Sequence, residues 1–113
     1  MDIPEVFSLI EATVTDIATA PYQVDRFLGS LRFSNTEDDA TMIVLAYVKT
    51  WCCVFSNLTD EHVSAIKEAG YDLEYDPTDE TYIWELGRAG DLNWTSAKRL
   101  SDACEVFFEV LLT

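Results

Sequence analysis

From Thr36 to Leu58 the chain runs without a glycine or proline, and most of that run is apolar, so the element it forms must lie at the centre of the fold. Thr36 followed by Glu37, Asp38 and Asp39 has the form of a helix start: a hydroxyl cap and three carboxylates where the helix dipole is positive. Beyond it Ala40, Val44, Tyr47, Trp51, Val54 and Leu58 recur in steps of four and three, and Ile43, Val48 and Phe55 widen the stripe. A central core helix is the expectation. The β-branched content of Thr41 to Val54 would also suit a pair of strands, but no turn residue divides the run and its length exceeds that of an ordinary strand.

The flanking segments are punctuated more clearly. Asp2-Ile3-Pro4-Glu5 reads as a capping box with proline in the first turn, and Val6, Leu9, Ile10, Val14 and Ile17 follow at helical spacing, with an end before Pro21. Tyr22 to Phe33 places Val24, Phe27, Leu28 and Leu31 on one stripe interrupted by Gly29, which predicts a short helix, and Ser34-Asn35-Thr36 predicts a loop. Thr59-Asp60-Glu61-His62 opens another helix, with Val63 and Ile66 inward and Gly70 at its stop.

After Gly70 the period changes to two. Tyr71, Leu73 and Tyr75 alternate with Asp72, Glu74 and Asp76; Asp76-Pro77-Thr78-Asp79 has the residue types of a tight turn; Tyr82, Trp84 and Leu86 alternate with Thr81, Ile83 and Glu85. That pattern is a β-hairpin. Gly87, Gly90 and Asn93 mark a loop, and a last helix starts near Thr95 with Ala97, Leu100, Cys104, Phe107, Phe108 and Leu111 inward. The expected fold class is α+β: one acidic globular domain over residues 1–113, mostly helical with four to five helices, and one β-hairpin near residues 71–86.

Charge supplies the functional signal. Seven Lys and Arg stand against twenty-one Asp and Glu, a net charge of -14, on a chain whose hydrophobic content of 49% is enough to fold rather than remain a disordered acidic tail. Salt-adapted proteins share the acidity, but six Phe, three Trp and three Cys count against that explanation. Asp2, Glu5, Glu37, Asp38, Asp39, Asp60 and Glu61 fall in expected caps or first turns, where the dipole and the unpaired amides explain them.

Asp72, Glu74, Asp76, Asp79, Glu80 and Glu85 have no such explanation, and no Lys or Arg lies between Lys67 and Arg88. If the aromatic set of the hairpin packs inward, Asp72, Glu74, Asp76 and Glu85 share the outward face with Thr81 and Ile83. A solvated face that discourages edge pairing is one use of such acids; a contact surface for a basic groove is the other. Asp102, Glu105 and Glu109 form a second stripe on the last helix, where only Lys98 offers a partner, to Asp102.

Other chemistries lack their residues. Cys52 and Cys53 are adjacent and Cys104 is the odd one, with no CxxC and no histidine at ligand spacing, so no metal or disulfide framework is expected and the thiols read as small apolar residues. His62 is the sole histidine, in a helical first turn among acids, and reads as a capping or exposed residue. There is no Gly-rich phosphate loop, no dinucleotide fingerprint and no nucleophile with a recognisable context, so no enzyme and no cofactor is expected. The order helix, turn, helix, hairpin resembles a winged helix-turn-helix, but the reading helix would carry Asp60, Glu61 and Glu68 against one Lys67, which argues against direct nucleic-acid binding. The opening residues hold no basic, apolar leader, and Ala40 to Leu58 is too polar to span a bilayer, so a cytoplasmic protein without a membrane partner is expected.

The functional expectation is a non-enzymatic acidic inhibitor that blocks the basic surface of a nucleic-acid-processing protein or nuclease. In size and charge it is similar to phage anti-restriction and anti-CRISPR proteins, DNA mimics and nuclease-toxin immunity proteins, with no motif behind the likeness. Its candidate contact residues are Asp72, Glu74, Asp76, Asp79, Ile83, Glu85, Asp102, Glu105 and Glu109. The alternative is a chaperone or adaptor module that holds its partner in an apolar groove and is acidic only for solubility.

Overall fold

In the computed structural model, which describes residues 2–47, 50–86 and 94–113, Asp2 caps the first helix: its carboxylate accepts the Glu5 amide at 2.8 Å. Pro4 fits the first turn, where a missing amide hydrogen leaves nothing unpaired. Helix α1 (Ile3–Ile17) then buries Val6, Phe7, Ile10 and Val14. Two hairpins follow, β1 (Tyr22–Phe27) with β2 (Ser30–Asn35) and β3 (Thr41–Tyr47) with β4 (Thr50–Ser56). After α2 (Asp60–Glu68) come β5 (Glu74–Asp76), β6 (Thr81–Glu85) and α3 (Trp94–Leu111).

All six strands join one antiparallel sheet in the order β1-β2-β3-β4-β6-β5. The chain is therefore not mostly helical with four to five helices: its described residues hold three helices and a six-stranded sheet.

The largest correction falls on the central run. Residues 41–56 are a strand pair and not a core helix. The period-four and period-three stripe mixes the two faces of the sheet: Val44, Trp51 and Phe55 belong to the period-two sets Met42, Val44 and Ala46 on β3 and Trp51, Cys53 and Phe55 on β4, which face the core, whereas Ile43 and Val54 lie on the opposite face. Stiff β-branched and aromatic side chains suit a pleated sheet better than a helix. Tyr47 pairs with Thr50, and the sequence between them holds no glycine, proline or other turn-type residue to mark the divide.

Two further expectations fall with it. Tyr22 to Phe33 is a hairpin whose turn needs Gly29 at φ 79°, a left-handed backbone that an L side chain resists. Its register carries Ser34 and Asn35 into β2, where a loop was expected. Glu37, Asp38 and Asp39 cap no helix; they build the turn between β2 and β3, where the Asp38 carboxylate accepts the Ala40 amide at 3.0 Å and Asp39 adopts φ 62°. With strands β3 and β4, and not a helix, directly before α2, the winged helix-turn-helix arrangement is absent.

The later elements lie close to expectation. Thr59 caps α2, accepting the His62 amide at 3.1 Å, while His62 Nδ1 accepts the Thr59 amide at 3.2 Å, so the histidine completes a capping box. Val63 and Ile66 are buried and Gly70 turns the chain at φ 97°. The hairpin shortens to β5 and β6, and β6 also pairs with β4, which makes it the edge of the sheet and not an isolated ribbon. The loop expected at Gly87, Gly90 and Asn93 lies outside the described residues.

The helices cover one face of the sheet. One buried cluster joins α1, α2 and α3 to Leu31, Phe33, Met42, Val44, Trp51, Cys53, Phe55 and Trp84. Edge-to-face rings tie α3 to the sheet, Phe108 on Phe33 with centroids 4.8 Å apart and Phe107 on Phe55 at 5.1 Å. Asn35, buried near the sheet's end, donates to the Leu111 carbonyl at 2.9 Å and holds the end of α3.

Candidate functional site

Because side chains alternate along each strand, the residues between those core positions emerge on the other face of the sheet, which no described helix covers. The strand register lines them up. Across the sheet Asp25 stands opposite Arg32, Arg32 opposite Ile43, Ile43 opposite Val54, Val54 opposite Ile83, and Ile83 opposite Glu74. A parallel row runs from Ser30 to Leu45, Cys52 and Glu85. The open face is thus graded: Arg32 with Asp25 at one side, an apolar centre of Ile43, Leu45, Val54 and Ile83, and carboxylates at the other.

The hairpin acids expected to share a face divide as follows. Glu74, Asp76 and Glu85 lie on the open face with Ile83, through the pairs Glu74–Ile83 and Asp76–Thr81 and the alternation along β6. Asp72 is exposed in the segment leading into β5, and Asp79 is exposed in the turn. Asp76 has a structural duty as well, accepting the Thr78 amide at 2.9 Å to hold that turn. Of the aromatic set, Trp84, Leu73 and Leu86 are buried, Tyr71 packs on Trp84 and Phe107, and Tyr75 stays exposed against Tyr82 at the sheet's edge.

Asp102, Glu105 and Glu109 are exposed on α3, on the side away from Leu100, Cys104, Phe107 and Phe108. Since α3 packs on the core face, this stripe and the open sheet face point to opposite sides of the molecule. The candidate residues therefore do not form one surface: Glu74, Asp76, Ile83 and Glu85 share the open sheet face, Asp102, Glu105 and Glu109 lie on α3, and Asp72 and Asp79 sit in the connecting segments.

Few cations oppose these acids. Among the described residues Arg26 pairs with Glu11 at 2.9 Å, and His62 Nε2 lies 4.0 Å from the Asp38 carboxylate; neither contact involves a candidate residue. Arg26 donates to Ser8 and to both Glu11 carboxylate oxygens, and the hydrogen bonds to Glu11 raise its pKa. Cys52, at the centre of the open face, is nearly buried between Leu45 and Glu85; burial first, and the Glu85 charge second, push its thiol up to about 11. Cys53 and Cys104 are buried on the core side, and all three cysteines are free.

Reading the sequence found Ile83 and the carboxylates around it but missed Ile43, Leu45 and Val54, because the helical reading put Ile43 and Val54 on the buried stripe and gave Leu45 no place in it. The signal was present as alternation in two phases, broken at Val48-Lys49. A second apolar surface also escaped: Ile3, Pro4, Phe7, Phe27 and Leu28 line a groove of about 460 Å³ beside the turn of the first hairpin, where Leu28 is fully exposed. No helix among the described residues is long and apolar enough to cross a membrane. No family model matches the chain, no curated protein matches it and no solved structure matches it.

Proposed function

We propose that this protein is a non-enzymatic acidic inhibitor that occupies the basic surface of a nucleic-acid-processing protein, with the open face of the sheet as its contact surface. The observation that carries this reading is the set Glu74, Asp76 and Glu85, displayed on one face without a cationic partner among the described residues, on a chain of net charge -14. Carboxylates held close together raise the energy of the free protein by repulsion, and a cationic surface relieves it. Such an arrangement speeds encounter with a positive target and repels nucleic acid and anionic membranes.

Affinity capture from the native cell, followed by competition, tests the proposal. The captured protein should bind nucleic acid, its complex should weaken steeply between about 50 and 200 mM salt, and its own DNA or RNA should displace the inhibitor. A ternary complex of partner, nucleic acid and inhibitor overturns blockade.

The groove beside Leu28 favours a second reading, an adaptor that holds a partner through apolar contact. Such a complex would barely respond to salt and would be lost in Leu28→Asp.

A further inference from the structure

We infer that the open sheet face is a seat for one amphipathic helix of a protein partner, lying across the strands with its cationic end over Glu74, Asp76 and Glu85. The inference rests on the acidic-inhibitor reading and deepens it, by naming the element that docks and the order of its residues. Its basis is the ladder Arg32, Ile43, Val54, Ile83, Glu74, in which each residue stands directly opposite the next on neighbouring strands.

Neighbouring strands lie about 4.8 Å apart, so from Ile43 the ladder reaches Val54 at about 5 Å, Ile83 at about 10 Å and Glu74 at about 14 Å. A helix rises about 1.5 Å per residue, so its positions i, i+3 or i+4, i+7 and i+10 fall at about 0, 5, 10 and 15 Å along one side. The two spacings match. The face asks for apolar residues at the first three positions and Lys or Arg at the fourth. Along the strands the apolar patch reaches from Ile43 to Leu45, about 7 Å, which lies within the width of a helix of about 10 Å.

Charge decides which helix. A second copy is disfavoured as the occupant: the exposed faces of the chain's own helices carry Glu5, Asp16, Asp60, Glu61, Glu68, Asp102, Glu105 and Glu109 against Lys67, Lys98 and Arg99, and two bodies of charge -14 repel. Nucleic acid and anionic lipid are repelled by the same acids. A helix with a cationic end fits, and Arg32 at the opposite end of the ladder favours an acid there, which fixes the helix direction.

The probe is a synthetic peptide of about 18 residues, long enough for helicity in isolation. It carries leucines at i, i+4 and i+7, a lysine pair at i+10 and i+11 and a glutamate at i-4, and is compared with a scrambled peptide of the same composition. Amide shifts recorded on the labelled protein should map the helical peptide to β3, β4 and β6, with the scrambled peptide binding at least tenfold more weakly. Val54→Lys should abolish the shifts. Should that variant fail to fold, Glu74→Lys gives an independent arm: it should lose the lysine peptide and bind one with glutamates at i+10 and i+11. If scrambled and helical peptides bind alike, the docked helix is overturned while the charge-driven reading stands. If neither cationic peptide binds even at low salt, that reading falls too. A concentration-dependent dimer that Val54→Lys dissolves would assign the face to a second copy and overturn the inference.

Discussion

Trp51 is the largest fully buried side chain, set on the core face of β4 against Phe7 with ring centroids 6.3 Å apart. Trp51→Ala should cost about 3–5 kcal/mol, measured by denaturant unfolding, because the cavity left among ordered neighbours cannot collapse fully. Its indole N–H finds no hydrogen-bond partner among the described residues, and burying a donor unpaired costs about 1–3 kcal/mol. Trp51→Phe removes that donor and keeps an aromatic ring, so its loss should be a small fraction of that of the alanine variant.

Cys52 permits a test by pH. Its pKa is raised in the fold from an ordinary 9.0 to about 11, so the neutral thiol's contribution to stability is whole below pH 9 and is lost as the pH climbs toward 11. Alkylation of Cys52 should be slow at pH 8 and accelerate steeply above pH 10. Glu85→Gln should bring that acceleration to lower pH, since the charge that opposes the thiolate is gone.

At the scale of elements, the turns and the hairpin acids do different work. Gly29 turns β1 into β2 at φ 79°, with nothing near the position a Cβ would take, so Gly29→Ala should cost about 1 kcal/mol through backbone strain alone. The carboxylates of Asp72, Glu74 and Glu85 hold no hydrogen bond or ion pair among the described residues. Replacing all three by Asn or Gln should leave the melting temperature unchanged or slightly raised. The same variant should associate more slowly with a cationic partner, chiefly in its on-rate, as stopped-flow mixing at low salt would read. An unaltered on-rate would remove this face from the contact.

On the scale of the molecule, the sheet separates two acidic surfaces that a sequence reading leaves undivided. Asp102, Glu105 and Glu109 face away from the open sheet face across the whole thickness of the domain, beyond the Debye length of about 8 Å at physiological salt. Neutralising Glu105 and Glu109 should therefore leave the affinity of the hairpin variant unchanged at that ionic strength, as titration calorimetry would show. A further loss of affinity would mean that the partner wraps around both sides.

The sequence by itself determined the elements whose ends are written in local chemistry. Asp2 and Pro4 start α1, Thr59 and His62 start α2, Gly70 stops it, and the switch to period two with Asp76-Pro77 makes the hairpin; each depends on neighbours within a few residues. Charge is likewise a property of composition, and the net charge of -14 on which the proposed cationic partner rests needs no fold to be read. What only the tertiary structure decided was the state of residues 22–58, where Val24, Phe27, Leu28 and Leu31, and then Ala40, Val44, Tyr47 and Trp51, satisfy a helical stripe as well as alternating strands. Short apolar runs are degenerate in period, and their choice is made by hydrogen bonds to strands far away in sequence, such as β4 to β6. The open face followed from the same choice. Ile43, Leu45 and Val54 reach it, beside Ile83 and Glu74, only because the register of four strands puts them in line.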